Sequence, residues 1–386
     1  MHISDLCAAM EEIAPLAFAE SWDKVGLQVG SCGSELAGPI VLTIDLRESV
    51  LHEAIKLGAD AIVAYHPPIF SPIDSITDHT VKGRILFEAA RAGIAIYTPH
   101  TALDAAPGGI TDWLCEGLST THTSHTTGVI SGDCRALCPH LENLADPKTK
   151  IVTFVPRDAV EKMRNALASA GAGLIGEYSV CSFAIDGIGT FLGSEKSNPV
   201  VGKAGQLEEV KESRLEMVCP KRALALAVAT LRRFHPYEEP PFDIYDLEPV
   251  PRRRVGAGRR LVLDQPATMH ELAQRLKAFL GDARIQLGFA GPPQKPVQTL
   301  GIVPGSGESL LPMAAAQGCE AFITGEMKHH QVLGCLNDGM HVLLAGHTNT
   351  ERGYLPRLAD KLSEMLEGIK IQIAQTDRDP LTVIEE

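Results

Sequence analysis

The chain has 386 residues, 48 acidic against 35 basic side chains, a formal net charge of −13 and 45% hydrophobic residues. That much apolar material supports two or three cored domains, which excludes a disordered chain; the acidic balance, with no basic run, disfavours nucleic acid held by its phosphates. The start Met1-His2-Ile3-Ser4-Asp5 lacks the charged segment and apolar core of a signal peptide, no apolar stretch is long enough for a bilayer, and the nine cysteines are scattered without a CxxC pair, so a cytoplasmic protein with reduced thiols and no membrane contact is expected.

Residues 3–17 predict a first helix, with Pro15 near its end. The loop of residues 21–30 follows, in which Trp22 either anchors a turn or forms the wall of a pocket. Residues 39–45, 61–64 and 94–97 read as strands, and 48–57 and 81–92 as helices stopped by Gly58 and Gly93. This alternation implies an α/β fold with a largely parallel sheet, whose crevice opens beyond the C-terminal strand ends. Two polar stretches fall there, Tyr65-His66-Pro67-Pro68 and the loop of residues 99–109, which carries His100 and Asp104; a helix resumes over 110–118. Residues 119–147 are rich in Thr, Ser and His and suggest a hinge. Strands over 150–155, 177–183, 187–192 and 208–218 then mix with helices over 158–170 and 220–235. They predict an inserted α+β domain at 131–250, with an exit linker at 249–254. The α/β core is then discontinuous, 1–130 with 251–386.

The core contains an internal repeat. Residues 43–51 align with 303–311 without a gap, pairing Glu48 with Glu308, Ser49 with Ser309 and Leu51 with Leu311. The same offset pairs Ala54 with Ala314, Gly58 with Gly318, and residues 61–66 with 321–326. After an indel, residues 93–101 echo 339–348, and Asp104 falls where Glu351 falls. Two related half-domains facing each other across a metal cleft are therefore expected. They would bring His66, His100, Asp104, Glu326, His347 and Glu351 together. Around Gly346 the pattern reads strand, turn, helix; His347 and Glu351, four apart, share one face if the helix has begun by residue 347.

Imidazoles and carboxylates in one crevice suit a pair of divalent ions, which a carboxylate such as Glu351 can bridge. Such ions make a shared water acidic and polarise the group it attacks, which is hydrolase chemistry. Each residue also has a plainer role. His66 can cap a strand end, Asp104 can cap a helix or hold a turn, and Lys328, His329 and Glu326 can form a solvated helix face. His100 and His330 either face a substrate or support the ligands, and His235 reads as a structural turn histidine.

In this order, Ser21-Trp22-Asp23 through Gly26-Leu27-Gln28, Tyr65-His66-Pro67-Pro68, His100-Thr101-Ala102-Leu103-Asp104 with Gly108-Gly109, Thr324-Gly325-Glu326-Met327-Lys328-His329-His330 and Gly346-His347-Thr348-Asn349-Thr350-Glu351 make a specific set. The chain resembles the GTP cyclohydrolase I type 2 homologue family, also called Nif-three-like, over nearly its whole length. The middle block resembles that family's optional inserted domain, a ferredoxin-like unit akin to PII and CutA proteins, through residues 176–178, 181–183, 187–191, 197–199 and 235–240. The resemblance implies two divalent ions per subunit, of zinc, iron or manganese type. His66 and Asp104 would hold one, His347 the other, and Glu351 would bridge. It further implies GTP ring opening, after the family name, and a ring-shaped homohexamer. The leading functional reading is a metal-dependent hydrolase of a small nucleotide-like or heterocyclic substrate, with His100 or His330 as catalytic proton carrier. The family usually has two adjacent histidines before the proline; here the first is Tyr65, which bears on the second ion, and Glu326 stands where the family commonly has Asp. The alternative function is a non-enzymatic metal-binding or regulatory assembly protein.

Overall fold

The computed structural model describes residues 1–119, 128–141, 147–248, 251–281 and 283–382. The chain divides into two units, Met1–His140 with Pro251–Glu386, and Leu141–Val250. In chain order the strands are β1 (Gly26–Val29), β2 (Ile40–Thr43), β3 (Ala61–Ala64), β4 (Ala95–Thr98) and β5 (Asp133–Leu141). There follow β6 (Lys148–Pro156), β7 (Phe183–Leu192), β8 (Leu207–Pro220), β9 (Phe242–Asp246) and β10 (Pro251–Ala267). The last are β11 (Gln286–Gly288), β12 (Val297–Ile302), β13 (Ala321–Thr324), β14 (His341–Leu344) and β15 (Ile371–Ile373).

The first unit holds two sheets, in the orders β1-β4-β3-β2-β15 and β11-β14-β13-β12-β10-β5. In each, three parallel strands carry one antiparallel strand on the same side. The repeat holds at the level of single hydrogen-bonded partners. Ile40 lies opposite Ala61 as Leu300 lies opposite Ala321, and Ala61 opposite Ala95 as Ala321 opposite His341. Leu27 opposite Tyr97 is matched by Leu287 opposite Leu343, so β1 and β11 also belong to the repeat. The two sheets differ only beyond β2 and β12, where β15 joins in parallel and β10 antiparallel.

Alternation along these strands splits the apolar side chains between two layers. Ile40, Leu42, Ala61, Val63 and Tyr97 of the first sheet share one core with Leu300, Ile302, Ala321, Ile323 and Leu343 of the second. Helices Ile3–Ile13, Ile110–Ser119, Met269–Leu280 and Leu355–Met365 contribute to the same core. The opposite faces pack on separate helices, Val41, Ile62 and Ile96 in one cluster, Phe322 and Val342 in another. Local signals set the helix ends: Thr80 Oγ1 accepts from Gly83 N at 3.0 Å, Gly58 closes helix Glu48–Leu57 with φ 65°, and Thr268 with Glu271 forms a capping box.

Four expectations change. Residues 119–147 are not wholly a hinge, because β5 forms the edge beside β10; residues 120–127 and 142–146 lie outside the described residues. Residues 251–254 open a 17-residue strand, where the prolines and arginines suggested a linker; residues 249–250 lie outside the description. Residues 177–182 form no strand: β7 starts at Phe183, after a tight turn that pairs Ile175 with Tyr178. The stretch after Pro99 is a short helix, His100–Ala105, ahead of Pro107.

The second unit is one antiparallel sheet, β7-β8-β6-β9, with helices Val160–Ser169 and Leu224–Phe234. Both helices pack on the face that carries Ile151, Val155, Leu215 and Met217. No helix among the described residues is long and apolar enough to cross a membrane.

Candidate metal centre

The polar residues of the first unit sit at the C-terminal ends of β3 and β14 and on the two short helices beyond β4 and β14. The chain leaves β14 through Gly346, at φ 87°, and the next helix runs Asn349–Arg352, not from residue 347. His347 therefore precedes the helix, and the turn still aims it at Glu351. Thr350 Oγ1 donates to His347 O at 2.6 Å and accepts from Gly305 N at 2.8 Å, which ties the turn to the loop after β12.

His66, His347 and Glu351 come together, their ligand atoms all within 4.8 Å of one another. His347 Nε2 lies 3.4 Å from Glu351 Oε1, and His66 Nε2 lies 3.6 Å from Glu351 Oε2. The far nitrogen of each ring is held by another carboxylate: His66 Nδ1 meets Asp45 Oδ1 at 2.9 Å, and His347 Nδ1 meets Glu326 Oε1 at 2.9 Å. A carboxylate only accepts, so each Nδ1 donates, and each Nε2 is left facing Glu351. Glu351 is 2% exposed, and its Oε2 has no hydrogen-bond partner among the described residues. A buried carboxylate flanked by two nitrogen lone pairs is unfavourable unless a positive charge lies between them.

That charge can be a proton or a metal ion. Burial disfavours the charged form of His66, but Asp45 and Glu351 outweigh it and push the imidazole up to about 10. A divalent ion fits as well. Two ligands at about 2.0–2.2 Å on a tetrahedral ion stand about 3.4 Å apart, close to the separations seen here. Carboxylate-backed histidines are the usual support for such an ion. Gly305, at φ 59°, completes the cradle: a Cβ there would lie 2.6 Å from Glu351 Oε1 and 3.1 Å from His347 Nε2. Gly305→Ala is therefore expected to weaken divalent-metal binding by about tenfold or more, the scale of a lost supporting contact. It should also cost about 1–2 kcal/mol for the left-handed backbone. Calorimetric titration with zinc and thermal melts check both.

Asp104 is not in the trio. It lies on helix His100–Ala105, and its Oδ1 accepts from the Tyr65 hydroxyl at 2.7 Å. Burial pushes its carboxyl up to about 7; His100 and the Tyr65 bond pull against that, while Glu351 adds to it. Tyr65 is buried, and burial with the Asp104 and Glu351 charges raises its phenol well above the ordinary range. It acts as a neutral donor to Asp104.

His100 has φ 30° and is held by Asp23, whose Oδ2 accepts from His100 Nδ1 at 2.8 Å and from Thr101 N at 3.1 Å. The His100 ring stands 5.4 Å from Tyr65 and 5.6 Å from His66. His330 sits elsewhere, exposed on the first turn of helix His329–Asn337, with Glu308 as a charged neighbour. Glu326, expected among the converging residues, positions His347.

The sequence does not single out Asp45 and Gly305, although the repeat aligns them with each other, in the bends that follow β2 and β12. Behind Asp45, Arg352 Nη1 reaches Asp377 Oδ2 at 2.6 Å, and Asp377 Oδ2 accepts from Ile44 N at 2.7 Å. This anchors the end of β2 to the helix that carries Glu351. Nothing in the sequence near Asp377 signals that role.

Comparison with known proteins places residues 1–380 under the family model Duf34/NIF3 (NGG1p interacting factor 3). A Bacillus subtilis protein named GTP cyclohydrolase 1 type 2 homolog is 33% identical over 377 residues, 97% of this chain and 96% of that one. NIF3-like protein 1 of Bos taurus is 34% identical over 392 residues, 100% of this chain and 93% of that one. Among solved structures, a Bacillus cereus protein related to NIF3 superposes with a TM-score of 0.64 at 29% identity, covering 100% and 99% of the two chains.

Proposed function

The chain belongs to the Duf34/NIF3 family, and from that premise we propose that it is a metal-dependent hydrolase of a small nucleotide-like or heterocyclic substrate. The observation that carries this is the buried Glu351 oxygen, without a hydrogen-bond partner among the described residues, between two carboxylate-backed imidazoles. The two Glu351 oxygens face different rings, which supports a bridging role: His66 and Asp104 would hold one ion, His347 would hold a second, and Glu351 would join them. A bound divalent ion supplies Lewis acidity, lowering the pKa of water and polarising the group under attack.

The chain's own residues supply the rest. His100 is the proton carrier, with Asp23 fixing its tautomer and leaving Nε2 to exchange a proton. Tyr65 orients Asp104 through its hydroxyl, where relatives of the resembled family place an imidazole. His330 carries no step, being seated with Glu308 on the exposed helix start. The strand-helix-strand-strand-helix-strand order of the second unit supports its reading as an inserted ferredoxin-like domain. A homohexamer belongs to the same proposal.

One observation favours the rival, a non-enzymatic metal-binding or regulatory protein: the Tyr65 hydroxyl already occupies one Asp104 oxygen. The deciding experiment counts metal per subunit in the freshly purified protein and in His347→Ala, then measures turnover of GTP and a nucleotide panel with added zinc, manganese or iron(II). Metal lost in the variant and turnover by the native chain are expected. Metal without turnover on any substrate would favour the rival, and no metal in the native chain would sink both.

A further inference from the structure

Two aromatic rings near the metal centre are used by no core. Trp22 and Phe70 are each 53% exposed, on the loops that follow helix Ile3–Ile13 and β3, and neither belongs to a hydrophobic cluster. Their centroids lie 5.8 Å apart with the planes tilted by 57°. Both stand edge-on to the same imidazole, Trp22 at 6.1 Å and Phe70 at 6.4 Å from His100. From there His100 stands edge-on to His66 at 5.6 Å, and His66 is tilted against His347 at 5.5 Å. A continuous run of rings thus leads from the surface to Glu351.

The two loops are held together. Gln28 Nε2 donates to Lys24 O at 2.7 Å and to Ile69 O at 3.3 Å, and its Oε1 accepts from Ile69 N at 2.8 Å. Beside this clasp lies a cavity of about 480 Å³ lined by Asp23, Lys24, Val25, Gln28, Ile69 and Ser71 among others. Lys24 is exposed and makes no ion pair among the described residues. Leaving two large rings side by side in water forgoes their burial, which points to a ligand that covers them.

We propose that Trp22 and Phe70 are the ring-binding subsite of the metal centre, taking a planar heteroaromatic ring by stacking, with Lys24 receiving an anionic substituent. This rests on the hydrolase reading above and narrows its substrate to aromatic heterocycles that carry a negative charge. Aromatic stacking tolerates many bases, because every base has a π-face, so the subsite selects for a flat ring and leaves its identity to other contacts.

Tryptophan fluorescence tests it, since Trp113 is 5% exposed in the core and Trp22 is the accessible fluorophore. The metal-loaded full chain is titrated with GTP, ATP, a pterin and inorganic tripolyphosphate. The ring compounds are expected to quench Trp22 and tripolyphosphate is not. Calorimetry should show GTP binding weakened about tenfold or more in Trp22→Leu and in Phe70→Leu, kept in Trp22→Phe, and weakened in Lys24→Ala for GTP but not for the pterin. Metal content should stay unchanged in all four variants, which separates this subsite from the ligands. Equal binding by Trp22→Leu and the native chain, no binding of any ring compound, or Trp22 shielded from acrylamide in the assembled protein, as a subunit contact would make it, would each overturn the proposal. If His347→Ala loses metal but GTP still quenches Trp22, the subsite stands apart from the metal. If the native chain holds no metal yet GTP quenches Trp22, the hydrolase reading fails and the subsite survives.

Discussion

Glu351→Gln is expected to lower divalent-metal affinity by more than about 100-fold and, above about pH 10, where His66 is neutral, to raise the melting temperature of the metal-free protein. The two effects share one cause. Glu351 is 2% exposed with Oε2 unpartnered, so the metal-free fold holds a carboxylate that water no longer solvates. An uncompensated buried charge costs several kcal/mol, and the neutral amide removes most of that penalty. Its NH2 can also donate to one of the two Nε2 atoms that now face a carboxylate oxygen at 3.4 and 3.6 Å. The metal-loaded protein loses instead. Residues that hold a ligand in place without being one, as Asp45 and Glu326 do here, are worth about 10–100-fold in metal affinity, and a direct ligand contributes more. Asp45→Asn, with its weaker effect, provides the internal scale. Chelator competition gives the affinities, and melts with and without EDTA give the stabilities. A metal-free Glu351→Gln protein that melts below metal-free native protein above about pH 10, where His66 no longer supplies a charge, would mean that the chain satisfies this carboxylate by itself, and the case for a cation would be lost.

Much of this arrangement is legible in the sequence because parallel strands buried on both faces leave a strong mark. The runs 40–43, 61–64, 321–324 and 342–344 lack polar interruption, and the equal spacing of residues 61–66 and 321–326 reappears as equal strand pairing. His66, His347 and Glu351 were visible because ligand-type residues after such a run have few structural reasons to be there. The rest was hidden for identifiable reasons. β1 and β11 are short and part-buried, so Gly26-Leu27-Gln28-Val29 reads as a loop. β10 starts on proline and a run of arginines, whose composition signals a linker, yet the stretch opens a strand that lies between β12 and β5 in the sheet. Asp45 and Asp377 lie 332 positions apart in the chain and share a role only because Arg352 lies near both. Tyr65 looked like a lost ligand; its partner, Asp104, comes from a helix that the residues after Pro99 do not announce.

Arg259→Met is expected to destabilise the first unit by about 3–5 kcal/mol, the usual cost of removing one partner of a buried ion pair. Arg259 is fully buried on β10, an exceptional place for a guanidinium, and every nitrogen is used. Nε donates to Asp112 Oδ1 at 2.5 Å, Nη1 to Gly256 O and Gly258 O at 2.8 and 2.9 Å, and Nη2 to Ala105 O and Ala106 O at 3.2 and 3.3 Å. Those last two carbonyls end the helix that carries His100 and Asp104. Asp112, 1% exposed, also accepts from Gly108 N at 2.8 Å and from Arg254 Nη2 at 3.2 Å, so it fixes the turn after that helix. Methionine keeps much of the side-chain length but leaves Asp112 with one exposed charged partner, Arg254, beside Gly108 N, and takes a donor from four backbone carbonyls, of which Ala106 O still accepts from Gly109 N at 3.0 Å. Arg259→Met with Asp112→Leu removes the stranded charge, yet the carbonyls do not regain the guanidinium's donors, so only part of the loss should return. Urea denaturation of the single and double variants measures the difference. Loss of less than about 1 kcal/mol in the single variant would place the pair among interactions that hydrophobic residues can replace freely, and the helix bearing Asp104 would then be held by its packing alone. Because that helix positions Asp104 opposite Tyr65, the single variant should also bind metal more weakly than native protein at temperatures where both remain folded.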